Sequence, residues 1–313
     1  MRIIKEQTNI DFMRRRWIAL AASAVIILVG TGSLLTRGLN FGLDFTGGAL
    51  IEVGYEVAPD MSDVRQQLED GGFSDAIVQT FGTTREVVVR LAGSEDESGS
   101  AEISSRVLEA LQAGSEAGVE MRRVEFVGPQ VGEELTEKGA LALLWALAGI
   151  FLYIMFRFQW RFSVGAVLAL VHDVLITMGV LSLIGVEFNL TVVAALLAVI
   201  GYSLNDTIVL YDRIRENFRR LRNRTPIDVI NNSINQTLSR TIMTSLTTLM
   251  VLTALFIFGG EIIHSFAFTL IVGVVVGTYS SIFVASMAVM QLGVTKHDLM
   301  QIEKEDPALK ARP

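Results

Sequence analysis

The chain contains no cysteine among its 313 residues and only three histidines. The absence of thiols excludes disulfides, thiolate metal sites and a cysteine nucleophile, and three scattered histidines argue against a zinc enzyme. Charged residues are also scarce, at 19% of the chain, and a net charge of −7 offers no basic surface for nucleic acid. We therefore expect no metal, no cofactor and no nucleic-acid partner.

Apolar residues make up 51% of the chain, and the mean hydropathy of +0.48 is too high for an ordinary soluble protein. Because roughly 20 apolar residues cross a bilayer, six apolar segments predict six transmembrane helices. The first segment follows three arginines and lacks a cleavage pattern, so we expect it to stay as an anchor. The six segments are Trp17–Leu35, Leu141–Phe156, Phe162–Ile184, Leu190–Leu210, Thr241–Phe258 and Phe266–Leu292.

The charges divide unevenly between one long polar segment and the rest of the chain. Thr36–Lys138 contains 8 basic and 20 acidic residues, and the remainder contains 18 basic and 13 acidic residues. The short connections Gly185–Asn189 and Gly259–Ser265 contain no Lys or Arg. The positive-inside rule therefore predicts cytoplasmic termini and an extracytoplasmic acidic domain. The expected division is 1–35 for the N-terminus and first helix, 36–138 for the acidic domain, 139–292 for the other five helices with a cytoplasmic loop at about 211–240, and 293–313 for a cytoplasmic tail.

The acidic segment has the periodicity of a compact α+β domain. Four stretches alternate or cluster as strands and two have a helical apolar face, with a polar loop predicted at Gly93–Ser100. Their order is βαββαβ, which is typical of ferredoxin-like domains. The predicted elements are Leu50–Val57, Met61–Leu68, Ala76–Phe81, Glu86–Leu91, Ala101–Ala113 and Val119–Val127.

Between the fourth and fifth apolar segments, Thr225-Pro226 is a typical helix start, with Thr as the N-cap and Pro in the first turn. Apolar residues then follow at helical spacing from Ile227 to Leu238. Two arrangements fit this pattern: an amphipathic helix on the membrane surface, or one that leads straight into the fifth span.

Three charged residues, Asp173, Asp206 and Arg240, lie in or at the ends of the apolar segments. A charge at the bilayer centre costs about 2.5 to 3.5 kcal/mol on insertion scales, so such residues tend to be paired or functional. Asp173 is expected near the midplane, whereas Asp206 and Arg240 each lie roughly 25 Å from the outer ends of their helices and can meet at one depth.

Polar residues share the helix faces of that second pair. Tyr202 and Ser203 accompany Asp206, and Thr244, Thr247 and Thr248 accompany Arg240. Two such stripes could hold a file of water along which the aspartate exchanges protons, since burial disfavours its charge and the arginine favours it. The alternative is a purely structural pair. His172 is expected to be a packing or interfacial residue, with a proton relay as the alternative. Gly273 and Gly277 are expected to form a close-packing surface for another helix.

Five sequence motifs resemble those of the SecD/SecF family of bacterial protein-export membrane proteins, and in particular those of its smaller, SecF branch. That family belongs to the proton-driven RND superfamily. The resemblance covers nearly the whole chain. The motifs are FGLDFTGG at Phe41–Gly48, GPQVGEEL at Gly128–Leu135, VHD at Val171–Asp173, GYSLNDTIVLYDRIREN at Gly201–Asn217 and NQTLSRTIMTS at Asn235–Ser245.

The resemblance implies an α-helical polytopic membrane protein, half of an RND-type assembly, with an extracytoplasmic α+β domain. It further implies a bacterial inner-membrane subunit, not an enzyme, that pairs with SecD, docks on the SecYEG channel with YajC and YidC nearby, and draws unfolded exported polypeptides across by using the proton motive force. In the family, the Asp of the ND motif and the Arg of the SRT motif belong to the proton path. Here that path implies Asn205, Asp206 and Arg240, and we add Ser203, Thr244 and, less centrally, Asp173.

We expect Asp44 and the glycines Gly47, Gly48, Gly128 and Gly132 to form a bending stalk between the acidic domain and the membrane. We also expect the SecD-type partner to use the small-residue face at Gly273 and Gly277. Two other classes stay open at this point: a membrane-embedded hydrolase, for which no nucleophile motif appears, and a passive scaffold that only stabilises its partner.

Overall fold

The computed structural model describes residues 8–91, 97–115, 118–221 and 223–294. After a single 3₁₀ turn at Met13–Arg15, the elements follow in this order: α1 (Arg16–Thr36), β1 (Asn40–Phe41), α2 (Leu43–Thr46), β2 (Gly48–Tyr55), α3 (Met61–Asp70), β3 (Ile77–Phe81), β4 (Thr83–Leu91), α4 (Glu97–Gly114), β5 (Val119–Val127), α5 (Pro129–Arg157), α6 (Trp160–Ile184), β6 (Glu187–Phe188), α7 (Leu190–Arg220), α8 (Pro226–Phe258), α9 (Glu261–Ser280) and α10 (Ser286–Gln291).

Six helical segments within the described residues are long and apolar enough to cross a membrane, so the prediction of six spans is confirmed. They are built on α1, α5, α6, α7, α8 and on α9, which continues through a π-helical turn at Ser281–Ala285 into α10. The most apolar stretches of α6 and α7 are 50% buried, against 6% for that of α5. The bundle therefore has a centre of α6, α7 and α9, with α1, α5 and α8 around it.

The α+β domain, Gly48–Val127, is a four-stranded antiparallel sheet with the strand order β3-β4-β2-β5. Its apolar face and those of α3 and α4 enclose a core that includes Ile51, Val89 and Leu111. With two helices on one antiparallel sheet in this order, the ferredoxin-like prediction is confirmed. Of the loop predicted at Gly93–Ser100, positions up to 96 lie outside the described residues, and α4 already begins at Glu97.

The region around 211–240, expected as a loop, is almost entirely helical because α7 and α8 both extend past the predicted spans. Only positions 221–225 separate the two helices. Thr225 and Asp228 form a reciprocal capping box at the start of α8, with Pro226 in its first turn. The helix that starts there leads straight into the fifth span, which decides between the two arrangements that the sequence allowed. Beyond Val294, the predicted tail lies outside the described residues.

Small residues let two helices of the bundle touch backbone to backbone. A Cβ added to Gly179 of α6 would lie 2.7 Å from the Cα of Gly30 in α1, which is closer than real side chains approach. The crossing brings α1 near enough for its hydroxyl groups to reach the interior, and Ser33 of α1 hydrogen bonds to Ser182 of α6 over 2.9 Å. α1 is thus an integral part of the bundle.

Candidate functional site

Asp206 is a buried carboxylate on α7, with only 4% of its surface exposed. Its Oδ1 accepts a long hydrogen bond of 3.4 Å from the hydroxyl of Thr241 on α8. Its Oδ2 is buried and has no hydrogen-bond partner among the described residues. An unsatisfied buried polar atom costs about 1 to 3 kcal/mol, and more when it is charged. The site therefore favours a carboxyl group that can take up a proton.

Arg240 lies beside this carboxyl group without forming an ion pair with it. The arginine side chain is exposed on the surface of α8, although its cation is near enough to act electrostatically on Asp206. The face of α8 that packs on α7 carries Thr241 and Ser245 instead, one position further along the helix. The face of α8 that meets α7 therefore lies about 100° around the helix from the face that carries Arg240, since each residue turns an α-helix by that angle.

The threonines of the predicted stripe bond to their own helix. The Thr244 hydroxyl donates to the carbonyls of Arg240 and Thr241, and Thr247 does the same with Met243 and Thr244. Between the helices, the Tyr202 hydroxyl of α7 instead donates to Ser245 over 3.3 Å, and Ser245 contacts Thr278 of α9 over 2.7 Å. Asn205 is exposed, and no hydrogen bond joins it to Asp206 among the described residues.

A second buried carboxylate, Asp173 of α6, is fully surrounded by polar groups. Only 1% of its surface is exposed. Oδ1 lies 2.9 Å from Nδ1 of His172, while Oδ2 accepts hydrogen bonds from Ser203 of α7 over 2.5 Å and from Ser280 of α9 over 2.7 Å. Ser203, expected beside Asp206, therefore belongs to Asp173.

The polar network continues from His172 into α1. Nε2 of His172 lies 3.0 Å from the Ser23 hydroxyl, which lies 3.0 Å from the hydroxyl of Tyr279 on α9. Sequence reasoning missed Ser23, Tyr279 and Ser280, and assigned His172 to packing. Single Ser and Tyr residues in apolar helices are too common to indicate a site, and the only available signal was the His-Asp pair at the middle of a span.

The predicted stalk is an ordered connection to the N-terminal end of α7. The Asp44 carboxylate accepts from the Leu190 N–H over 2.8 Å, and the Asn189 side chain caps the same helix end at Val192. β1 pairs in parallel with β6, the strand immediately before α7. The segment from β1 to α2 therefore holds the first turn of α7 through both strand pairing and capping.

The stalk glycines have distinct reasons to be glycine. Gly47 and Gly48 have φ of 66° and 115°, which side chains rarely adopt, at the turn from α2 into β2. A Cβ on Gly132 would lie 2.9 Å from the carbonyl oxygen of Phe45, because α5 packs directly on α2. Gly128 precedes α5 in extended conformation, and a Cβ there would meet only Cγ2 of Val131, at 4.0 Å. Close packing explains Gly132, and backbone conformation explains Gly47 and Gly48.

The α+β domain also contacts the bundle directly. Arg90 of β4 forms an ion pair with Glu187 of β6, with 14% and 32% of the side chains exposed. Glu187 additionally packs against Gly42, where a Cβ would lie 2.7 Å from its Oε1. The ion pair ties the sheet to the short connection that precedes α7.

Gly273 and Gly277 are covered within the chain. A Cβ on Gly273 would lie 2.1 Å from Cγ2 of Val199, and one on Gly277 would lie 3.0 Å from Cβ of Ser203. Both contacts are with α7, so this small-residue face is occupied and the expectation that a second protein uses it is wrong. Periodicity indicated close packing correctly but could not say which helix fills the face.

Comparison with known proteins adds an independent line of evidence. Residues 107–295 match the family described as "Protein export membrane protein SecD/SecF, C-terminal", and residues 32–58 match the "SecD/SecF GG Motif". The chain is 51% identical over 313 residues to "Protein translocase subunit SecF" of Vibrio alginolyticus, covering 99% of each chain.

Solved structures resemble the chain in the same way. The crystal structure of SecDF, a translocon-associated membrane protein from Thermus thermophilus, has a TM-score of 0.82 and 40% identity over 92% of this chain. A structure of SecDF in a super-membrane-facing form has a TM-score of 0.68 at the same identity over 93% of this chain. The chain spans only 39% of the length of either SecDF chain.

The contact between α9 and α7 can be tested by filling it. Gly273→Ala places a methyl group against Val199, and overpacking of this kind costs roughly 1 to 3 kcal/mol. We expect a lower midpoint for thermal unfolding of the purified chain in detergent, and partial recovery in Gly273→Ala with Val199→Ala.

Gly201→Ala is the matched control, since Gly201 lies on α7 with nothing near its Cβ position. It should leave the midpoint unchanged or raise it slightly, because alanine favours a helix more than glycine does. Weakened binding of a partner protein by Gly273→Ala, with an unchanged midpoint of the chain alone, would contradict the assignment of this face to α7.

Proposed function

Since the chain belongs to the SecD/SecF family of protein-export membrane proteins, we propose that it uses the proton motive force, together with a SecD-type partner, to promote export through the SecYEG channel. The general role follows from the family itself: the chain is a multi-pass membrane protein and a SecF-type subunit of the protein-export machinery. The proposal concerns the energy source and the partners.

The environment of Asp206 is the main support for the proposal. It combines burial at 4% exposure, a carboxyl oxygen with no hydrogen-bond partner in the part of the chain that the structure describes, and an arginine cation on the neighbouring helix. Burial favours the protonated acid and the cation favours the carboxylate, so the group is poised between two states. A membrane potential acts on such a charge with about 2.3 kcal/mol per 100 mV, which is enough to drive its exchange. A purely structural pair would instead be expected to form a direct ion pair.

The partner is proposed from what the bundle leaves exposed. Arg240, Asn205 and Thr247 are polar side chains on the outer surface of membrane-length helices. Lipid would leave the Arg240 and Asn205 side chains unsatisfied, whereas the Thr247 hydroxyl already bonds to its own helix. Polar residues within spans nearly always face protein or water. Because the chain corresponds to 39% of a SecDF chain, we propose that a SecD-type half covers this surface and completes the surroundings of Asp206.

The proposed orientation places both termini in the cytoplasm and the α+β domain on the far side of the inner membrane. The arginines at the end of α7 and before α1 support it, because basic residues concentrate on the cytoplasmic side. The α+β domain then lies on the side where an exported polypeptide emerges. Its attachment to the start of α7 gives it a route to Asp206, which lies further along the same helix.

We expect Asp206→Asn to abolish the part of export that depends on a proton gradient. The amide keeps the size of the side chain but cannot exchange a proton. Arg240→Lys should cause a partial defect, since the charge stays while the planar guanidinium is lost. The measurement is export into inverted membrane vesicles that contain the chain, its SecD-type partner and SecYEG, with and without a proton gradient.

Asp212→Asn is a suitable control, because Asp212 lies on the same helix but is exposed and pairs with Arg157 over 3.6 Å. It should export like the wild type. If a proton gradient still stimulated export fully in Asp206→Asn, with normal assembly, the carboxyl group would not be a proton carrier. The passive scaffold would then be the remaining role.

The mobility of the α+β domain can be tested at the Arg90–Glu187 contact. The chain has no cysteine, so Arg90→Cys with Glu187→Cys places the only two thiols at this contact. A short bismaleimide should link them, and if the domain must move during export, the linked protein should lose gradient-stimulated export while its assembly with the partner is unchanged.

Arg85→Cys with Glu187→Cys serves as the matched pair. Arg85 is on the same strand five residues away, a separation of about 16 Å along an extended chain, and should not be linked. Unchanged export after quantitative linking at position 90 would refute movement at this contact.

A further inference from the structure

The hydrogen bonds around His172 have a direction that is fixed by Tyr279. The Tyr279 hydroxyl has one hydrogen, which it donates to the Ala19 carbonyl over 2.6 Å. The 3.0 Å contact between Tyr279 and Ser23 therefore needs the hydrogen of Ser23. With that hydrogen used, the 3.0 Å contact between Ser23 and His172 needs a hydrogen on Nε2 of the imidazole. The network thus assigns a protonated Nε2.

The other side of the imidazole then holds one further proton. Both serines donate to Oδ2 of Asp173, so the hydrogen between Nδ1 and Oδ1, which are 2.9 Å apart, belongs to one of these two atoms. It is bonded either to Nδ1, giving an imidazolium beside a carboxylate, or to Oδ1, giving a neutral imidazole beside a carboxylic acid. The pair is electrically neutral in both cases.

We propose that His172 and Asp173 form a second proton-binding site in the bundle, separate from Asp206, which binds one proton between Nδ1 and Oδ1. The proposal rests on the proton-driven function above and extends it to a site on α6. Binding forms one N–H or O–H bond and release breaks it, with the proton as the only species gained or lost.

Release of this proton changes the contacts of three neighbouring helices. Without it, the lone pair of Nδ1 faces the Oδ1 carboxylate, and two acceptors at 2.9 Å repel each other. The imidazole and the carboxylate must then separate, which disturbs Ser23 of α1 and the serines of α7 and α9. Ser203 is one helical turn before Asp206 on α7, so the occupancy of this site acts on the helix that carries the other carboxyl group.

The surroundings of the pair contain few other titratable groups. α9 contributes Tyr279, whose ring stacks on His172 with a centroid distance of 6.2 Å. α7 contributes Asp206 beyond Ser203, and α5 contributes Tyr153, which is 54% exposed on the outer surface. Within α1, positions 17–36 contain no titratable residue, and neither does 281–291. The charge of the pair is therefore governed by its own two groups and its hydroxyl partners.

Nitrogen NMR of the imidazole tests the assignment directly. His264→Gln with His297→Gln leaves His172 as the only histidine, so ¹⁵N-histidine labelling reports on this one ring in membranes containing the partner. We expect Nε2 to be protonated, together with either a protonated Nδ1 or an infrared carbonyl band of a carboxylic acid that Asp173→Asn removes. A neutral imidazole protonated only on Nδ1 would overturn the proposal, because Asp173 would then be a fixed carboxylate.

Tyr279→Phe is the matched variant for the direction of the network. It frees the hydrogen of Ser23 to bond to Nε2, and we expect the tautomer protonated on Nδ1 to appear. Its absence would contradict the assigned direction.

The link to export is tested separately with Asp173→Asn in the vesicle assay. We expect export with a gradient to fall to the level measured without one, while assembly with the partner and thermal stability stay unchanged. Wild-type export in Asp173→Asn would overturn the role of this site in transport, and the result for Asp206→Asn would still decide the proposed function by itself.

Discussion

The architecture of the bundle depends on the need to satisfy polar groups where no water is available. Asp173 meets this need with three hydrogen bonds from side chains on three different helices, α6, α7 and α9. A carboxylate at 1% exposure would otherwise be very costly in this environment. Because its partners must converge within hydrogen-bond distance, the three helices must pack closely, and Gly277 permits this by leaving room for Ser203. The position of the central helices therefore follows from one buried acid.

α7 is the element that all the functional features share. Its first turn is capped by Asp44 of the stalk and preceded by the strand that pairs with β1. Its middle contributes Ser203 to Asp173 and holds Asp206, whose second oxygen has no described partner. In the proposed function, a displacement of α7 at its capped end would move Asp206 and also Ser203, which hydrogen bonds to Asp173 of α6. This connection gives the proposed coupling a physical route without any additional element.

The sequence predicted the architecture well and the site only in part. Hydropathy and periodicity are properties of whole segments, so the six spans and the βαββαβ order of elements in the α+β domain could be predicted. The rotation of α8 could not, because polar residues occur on two adjacent faces, and packing against α7 and α9 selects Thr241 and Ser245 over Arg240. Likewise, Gly273 and Gly277 of α9 indicate a close contact, but the sequence does not identify the helix that makes it. The start of α8 was predicted from Thr225-Pro226, but the extension of α7 to Arg220 was missed because it is amphipathic, not uniformly apolar.

The two carboxyl groups differ in a way that suggests different roles in one process. Asp173 is enclosed by its own chain, so its protonation state is decided by internal hydrogen bonds that α1, α6, α7 and α9 must maintain together. Asp206 is beside an exposed arginine, so its state also depends on whatever covers that surface. In the proposed function, the His172–Asp173 pair sets the arrangement of the helices, whereas Asp206, beside the surface that carries Arg240, responds to the partner. Since Ser203 and Asp206 share a turn of α7, a movement of that turn changes the surroundings of both carboxyl groups.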